Sequence, residues 1–150
     1  MKTIKGDLIQ LALAGQFDVI IHGCNCFHTM GAGIAKSIKS VFPEAYEADL
    51  TSVKGDSNKL GSFTTATVVR NGYTITIINL YSQYDWRGYG CKVDYGAIQT
   101  GFKAIKNQYP DKRIGYPMIG AGLAGGDWNV ISAIINKELV DIDHTLVKFK

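Results

Sequence analysis

Residues 18–38, DVIIHGCNCFHTMGAGIAKSI, change character twice within one short span. Val19, Ile20 and Ile21 form a nearly continuous apolar run, as expected of a central strand covered on both faces. From Ile34 onward the apolar positions fall at Ile34, Ile38 and Val41, the spacing of one face of a helix. Between strand and helix stand His22, Gly23, Cys24, Asn25, Cys26, His28, Gly31 and Gly33. Three chemistries compete for this junction: a metal site, a thiol nucleophile, or a glycine loop that holds an anion at the start of a helix.

The first two lose on elementary grounds. Zinc could draw on His22, Cys24, Cys26 and His28, but alternate side chains of an extended segment point to opposite faces, whereas a metal needs convergent ligands. The close pair is spaced C-x-C rather than C-x-x-C, the chain has 3 cysteines in all, and no second ligand cluster occurs elsewhere. Neither Cys24 nor Cys26 has a lysine or arginine beside it to favour a thiolate, so both read as small packing residues in a reducing compartment. No metal ion and no cofactor is expected.

Working outward, VDYGAIQTGFKAIKNQY and WNVISAIINKEL carry the same helical periodicity, and Pro43 ends or kinks the helix begun at the glycine loop because its ring removes a backbone donor. Between the helices, KTIKG, FDVIIHG, SFTTATVVR, YTITIINLY, RIGYPMIG and HTLVKF are rich in β-branched residues and read as six strands. Asn71-Gly72 between two of them signals a tight hairpin, so the sheet is mixed. The order strand, helix, hairpin, helix, strand, helix, strand predicts a three-layer α/β/α domain, mostly parallel, over residues 1–150.

At 150 residues the chain is long enough to bury a core without disulfides. A net charge of +3 with scattered lysines and arginines lacks the basic stripe of a nucleic-acid reader. No apolar run approaches the roughly 20 residues of a membrane span, and MKTIKGDLIQ lacks a signal-peptide core. The expectation is a soluble, cytoplasmic monomer with a small anionic ligand, and no membrane or nucleic-acid partner.

Ligands of open α/β sheets bind outside the carboxyl ends of the strands. Two glycine-rich loops fit that place, HTMGAGIA after FDVII and IGAGLAGGDW after RIGYPM, each opening a helix whose free N–H groups favour negative charge. Neither is a Walker A loop, and GAGLAG lies too late in the chain for a dinucleotide fingerprint.

KGDLIQL, DVIIHGCNCFHTMGAGIAKSI and YPMIGAGLAGGDW, in this order and spacing, resemble the macrodomain, an ADP-ribose-binding fold, over nearly the whole chain. The resemblance implies that Asp7 bonds the adenine amino group and Leu8 supplies a backbone contact. It implies that Gly23 and Asn25, with Gly31, Ala32, Gly33 and Ile34, surround the distal ribose and diphosphate. Ile119, Gly120, Ala121, Gly122, Leu123, Ala124 and Gly125 would cradle the diphosphate from the other side. GCNCFHTMGAGIA looks most like the branch that includes ADP-ribose 1''-phosphate phosphatases of yeast and some phages. A related branch removes ADP-ribose from glutamate or DNA bases with a lysine and an aspartate, and Gln83 and Ala124 stand at those two places.

His28 falls where a terminal phosphate on the ribose would lie, and an imidazole with a pKa near 6.5 could serve as acid, base or nucleophile there, or it could simply bond loop backbone. Asp127 could orient it or cap the helix at Trp128; Asp7 too could be a cap. Asp85, Trp86 and Arg87 are expected to line the cleft, with Arg87 on phosphate, and Tyr81 and Phe149 to flank a sugar or base. His22 reads as a packed, hydrogen-bonded residue at the strand end, and His144 as structural or exposed. The leading expectation is hydrolysis of ADP-ribose 1''-phosphate, catalysed by His28, Asn25 and Asp127. An ADP-ribosyl hydrolase acting on protein or nucleic acid, and a non-catalytic ADP-ribose-binding module, remain open.

Overall fold

β2 (Val19–Cys24) lies in the middle of the sheet, hydrogen-bonded in parallel to β4 (Tyr73–Tyr81) on one side and to β5 (Ile114–Tyr116) on the other. The computed structural model describes residues 1–149, and their six-stranded sheet runs β1-β6-β5-β2-β4-β3, with β1 Lys2–Lys5, β3 Phe63–Arg70 and β6 His144–Lys148. Every pairing is parallel except β3 with β4. Their hairpin closes at Asn71 (φ 55°) and Gly72 (φ 82°), both left-handed, which matches the twist of antiparallel strands.

The predicted layers are present. α1 (Leu8–Leu13), α2 (Gly33–Val41) and α3 (Pro43–Leu50) cover one face, over Ile20, Ile75 and Ile77. α4 (Tyr95–Gln108) and α5 (Trp128–Glu138) cover the other, over Ile21, Ile78 and Leu80. Neighbouring residues of β2 and β4 thus enter different cores, which is why both strands read as unbroken apolar runs. α4 lies close enough to β4 that a Cβ on Gly101 would overlap Leu80. Pro43 starts α3, and Phe42, the residue before the ring, leaves the helical region (φ −123°, ψ 72°), so one periodic stretch becomes two helices. Among the described residues no helix is long and apolar enough to cross a membrane.

Two features differ from expectation. LIQLAL forms α1, only six residues long, with Asp7 as its cap. β5 stops at Tyr116, because Pro117 has no N–H for the ladder and the second glycine loop begins there.

Two histidines are sealed into the sheet. His22 is fully buried and faces its register partner Asn79, whose Oδ1 accepts from Nε2–H at 2.7 Å while Nδ2 donates to the Ala45 carbonyl (2.8 Å) and Thr64 Oγ1 (3.1 Å). His144 pairs through Nδ1 with the Tyr116 hydroxyl at 2.6 Å. Burial lowers both imidazoles to about 4. An unfolded chain takes up those protons near 6.5, so both sites contribute full stability above that pH and lose it as pH falls toward 4. At His22 alone this gap is worth roughly 3 kcal/mol. Denaturant midpoints measured from pH 8 to 4.5 are therefore expected to stay level above about 7 and fall steadily below about 6.5; a level profile down to 4.5 would contradict the sealed histidines.

Candidate active-site cleft

Where β2 ends the chain turns on itself. Asn25 Oδ1 accepts the Phe27 N–H (2.9 Å) and Nδ2 donates to the Thr29 carbonyl (2.9 Å), closing residues 25–29 into a tight loop. Two neighbours clamp it from outside: Gly55 N–H donates to the Cys26 carbonyl (2.6 Å), and Cys26 N–H donates to the Tyr84 carbonyl (2.9 Å). Phe27 meets the Tyr84 ring edge-on with centroids 4.9 Å apart, and the Tyr84 hydroxyl reaches the Gly55 carbonyl at 2.8 Å. α2 then begins at Gly33 (φ 58°) with Ala32 as N-cap and no side chain capping it. Its first N–H groups, at Gly33, Ile34 and Ala35, are offered to the cleft that these residues border.

The second loop follows β5. Gly126 N–H donates back to the Gly120 carbonyl at 2.7 Å, and a Cβ on Gly126 would lie 2.6 Å from that oxygen, so the loop closes only with glycine there. Lys92 N–H bonds the Ala124 carbonyl (2.6 Å), tying this loop to the one that follows β4.

Between the two loops runs a cleft of two lobes. A near lobe of about 730 Å³ is bordered by Asp7, Leu8, Ala121, Val147, Lys148 and Phe149 among others. A far lobe of about 630 Å³ is bordered by Gly23, Asn25, Gly31, Ala32, Ile119, Gly120, Leu123 and Ala124, and by Trp86. The lobes share a waist of Gly33, Ile34, Pro117, Met118 and Gly122. Among the described residues no Asp or Glu borders the far lobe, and its one cationic side chain is Lys92, whose Nζ also donates to the Gly88 carbonyl at 3.2 Å.

Both glycine loops, Asp7, Leu8, Asn25 and Phe149 therefore meet at one cleft. Asp7 caps α1 with Oδ1, which accepts from Ile9 and Gln10 N–H, and still borders the near lobe. Other residues expected at the site stand elsewhere in the fold. Tyr81 is buried on the α1–α3 face, its hydroxyl donating to Asp49 Oδ1 (2.6 Å), and borders neither lobe. His28 borders neither lobe: its backbone is left-handed (φ 61°), and Nε2 donates to the Ser52 carbonyl at 2.8 Å, turning the ring toward the end of α3. Asp127 likewise stays outside and caps α5, accepting from Asn129 N–H at 2.9 Å. Gly125 shapes its loop (φ 71°) without bordering the cleft. Arg87 is held by Asp85, bidentate at 2.7–3.2 Å, lies over Trp86 and Phe27, and borders neither lobe. That pairing lowers the Asp85 carboxyl to about 2.

Ser82, Gln83, Thr29 and Lys92 border the far lobe as well, and only Gln83 of these was singled out by sequence. Ser82 and Gln83 stand just past the carboxyl end of β4, where the strand-end rule applies as much as to β2 and β5. Lys92 lies in an aromatic-rich loop with no periodicity to mark it.

No three His, Cys, Asp or Glu side chains among the described residues come together to hold a metal ion. Burial pushes the Cys24 thiol well up and raises Cys26 too, so both stay protonated near neutrality.

The comparisons agree with this architecture. No protein-family model matches the chain. An uncharacterised 17.5 kDa protein of Enterobacteria phage T4 is 36% identical over 141 residues, 91% of this chain and 88% of that one. A stretch of 46 residues, 31% of this chain, is 44% identical to 21% of an ADP-ribose 1''-phosphate phosphatase of Aspergillus oryzae. Among solved structures, the macrodomain of Thermus aquaticus DarG superposes with a TM-score of 0.73 at 20% identity, covering 99% of this chain and 95% of that one. Thermosipho africanus DarTG in complex with ADP-ribose gives 0.75 at 14% identity, over 100% of this chain and 42% of that one. The chain has the macrodomain fold.

The thiols offer a simple check of the site. Iodoacetamide at pH 8 is expected to modify the native protein once, at exposed Cys91, sparing Cys24 and Cys26 until denaturant is added. Rapid labelling of Cys24 in the native state, read by peptide mass spectrometry, would restore a thiol role.

Proposed function

We propose that this macrodomain hydrolyses ADP-ribose 1''-phosphate to ADP-ribose and inorganic phosphate. The observation that carries the reading is the far lobe, which has uncapped N–H groups at the start of α2 and, among the described residues, one lysine and no carboxylate along its border. A phosphate monoester is close to dianionic near neutrality, and a lobe of donors without opposing negative charge suits it. The local likeness to the Aspergillus oryzae phosphatase supports the same reading, and the likeness to a chain in complex with ADP-ribose supports the ligand class.

Adenine would occupy the near lobe beside Asp7, whose Oδ2 remains to accept from its amino group, with Leu8 and Phe149 supplying apolar surface. The diphosphate would cross the waist between Gly33–Ile34 and Gly122. In the far lobe Asn25 already spends one N–H and one oxygen lone pair on its own loop, leaving a second N–H for the distal ribose. Water supplies the attacking oxygen; the bond from phosphorus to the ribose oxygen breaks, and that oxygen leaves as the 1''-hydroxyl, carrying a proton. The chain contributes position and stabilisation of the charge that gathers on the phosphoryl oxygens. His28 acts at a distance, by fixing the loop that carries Asn25. Gln83 and Ala124, which also border the lobe, offer neither ammonium nor carboxylate for ADP-ribosyl hydrolysis.

Incubation with ADP-ribose 1''-phosphate, ADP-ribosylated protein and ADP-ribosylated DNA in parallel tests this directly. Phosphate release from the first alone is expected, and Lys92→Met is expected to lower kcat/KM roughly tenfold. Release of ADP-ribose from either macromolecule without phosphate release would replace the phosphatase reading by a hydrolase one, and ADP-ribose binding without any turnover would leave a binding module.

A further inference from the structure

We infer that the Ser82 hydroxyl is a ligand-binding group, donating a hydrogen bond to a phosphoryl oxygen in the far lobe. Ser82 is 1% exposed, and its backbone is satisfied on both sides: its N–H donates to the Cys24 carbonyl (3.2 Å) and its carbonyl accepts from Asp94 N–H (2.8 Å). Its side chain is different. Ser52 and Ser62 bond their hydroxyls to nearby carbonyls, whereas the Ser82 hydroxyl has no partner among the described residues and borders the far lobe. Among the described residues the fully enclosed side-chain oxygen without a partner is Asp49 Oδ2, so Ser82 Oγ, also unpartnered, keeps an opening to solvent, and it borders the far lobe.

The surroundings make the direction specific. A Cβ on Gly23 would come within 2.6 Å of Ser82 Oγ and 3.2 Å of Ile119 Cγ2, so the hydroxyl sits over the bare Cα of Gly23 with an apolar wall beside it. The protein offers it nothing there; the open side is the cleft. The other polar groups along this lobe that carry fixed character are donors, namely the α2 N–H groups and Lys92, so a complementary ligand presents acceptors. A serine hydroxyl can donate or accept, and in that company it donates. The assignment gives Gly23 a second role, since any side chain there would displace the hydroxyl.

This inference rests on the reading of the cleft given above, and its test separates the two. Ser82→Ala, Gly23→Ala and the double variant are to be compared with the unaltered protein for affinity toward ADP-ribose and ADP-ribose 1''-phosphate, taken as KM where the ligand is turned over and as Kd where it is not. Thermal unfolding of each variant checks folding. Ser82→Ala is expected to weaken the phosphorylated ligand about tenfold while leaving ADP-ribose within about twofold. Gly23→Ala is expected to match it, and the double variant to be no worse than either, because all three remove one contact. Unchanged affinity of Ser82→Ala for the phosphorylated ligand would overturn the inference, and so would equal losses for both ligands. If the unaltered protein binds that ligand but releases no phosphate, the phosphatase reading fails while the Ser82 comparison still decides by Kd.

Discussion

The hydrogen bond between His22 and Asn79 is the constraint on which the cleft depends. It joins residues already paired in the ladder between β2 and β4, so it locks the register of the two strands whose ends form the far lobe. Asn79 then spends its two N–H groups on the Ala45 carbonyl and Thr64, carrying the same order into α3 and β3. Asp49 stands in the last turn of α3 and Ser52 just past its end; Asp49 takes the Tyr81 hydroxyl, and the Ser52 carbonyl takes His28. A buried amide thus reaches the Asn25 loop through one helix. In a low-dielectric layer such links reinforce one another, and a missing partner leaves a desolvated polar group behind.

Much of this was legible in the sequence where backbone chemistry decides. Glycine is visible as a letter, and Gly31, Gly33, Gly120 and Gly122 marked both walls of the cleft because only chain without side chains can approach a ligand that closely. The six strands and the hairpin followed from β-branched runs and Asn71-Gly72. α1 did not, since six residues are too few to show a helical period.

Side-chain direction was less legible, for two different reasons. For His28 the decision is non-local: its ring follows Ser52, 24 residues along the chain, and a left-handed backbone that no pattern announces. For Tyr81 the information was present but unused. Residues 75, 77, 79 and 81 of β4 share one face, so strand parity alone places Tyr81 beneath α3 and its neighbour Ser82 on the opposite side. Arg87 shows the same hazard for charge, since its guanidinium is satisfied by a carboxylate two residues away.

The waist between the lobes has a consequence for selectivity. Gly33, Ile34, Pro117, Met118 and Gly122, glycine backbone and apolar side chains, border both lobes and join them into one cleft. A molecule with a group for each end behaves as a tethered pair: once one end is seated, the other is confined near its own site, and the second association carries little further loss of freedom. A nucleoside or a sugar phosphate alone meets one end without that advantage. Under the proposed reading, a ligand that reaches both ends therefore gains from each, and a half-length fragment binds more weakly because it lacks the second contact, not because it is repelled.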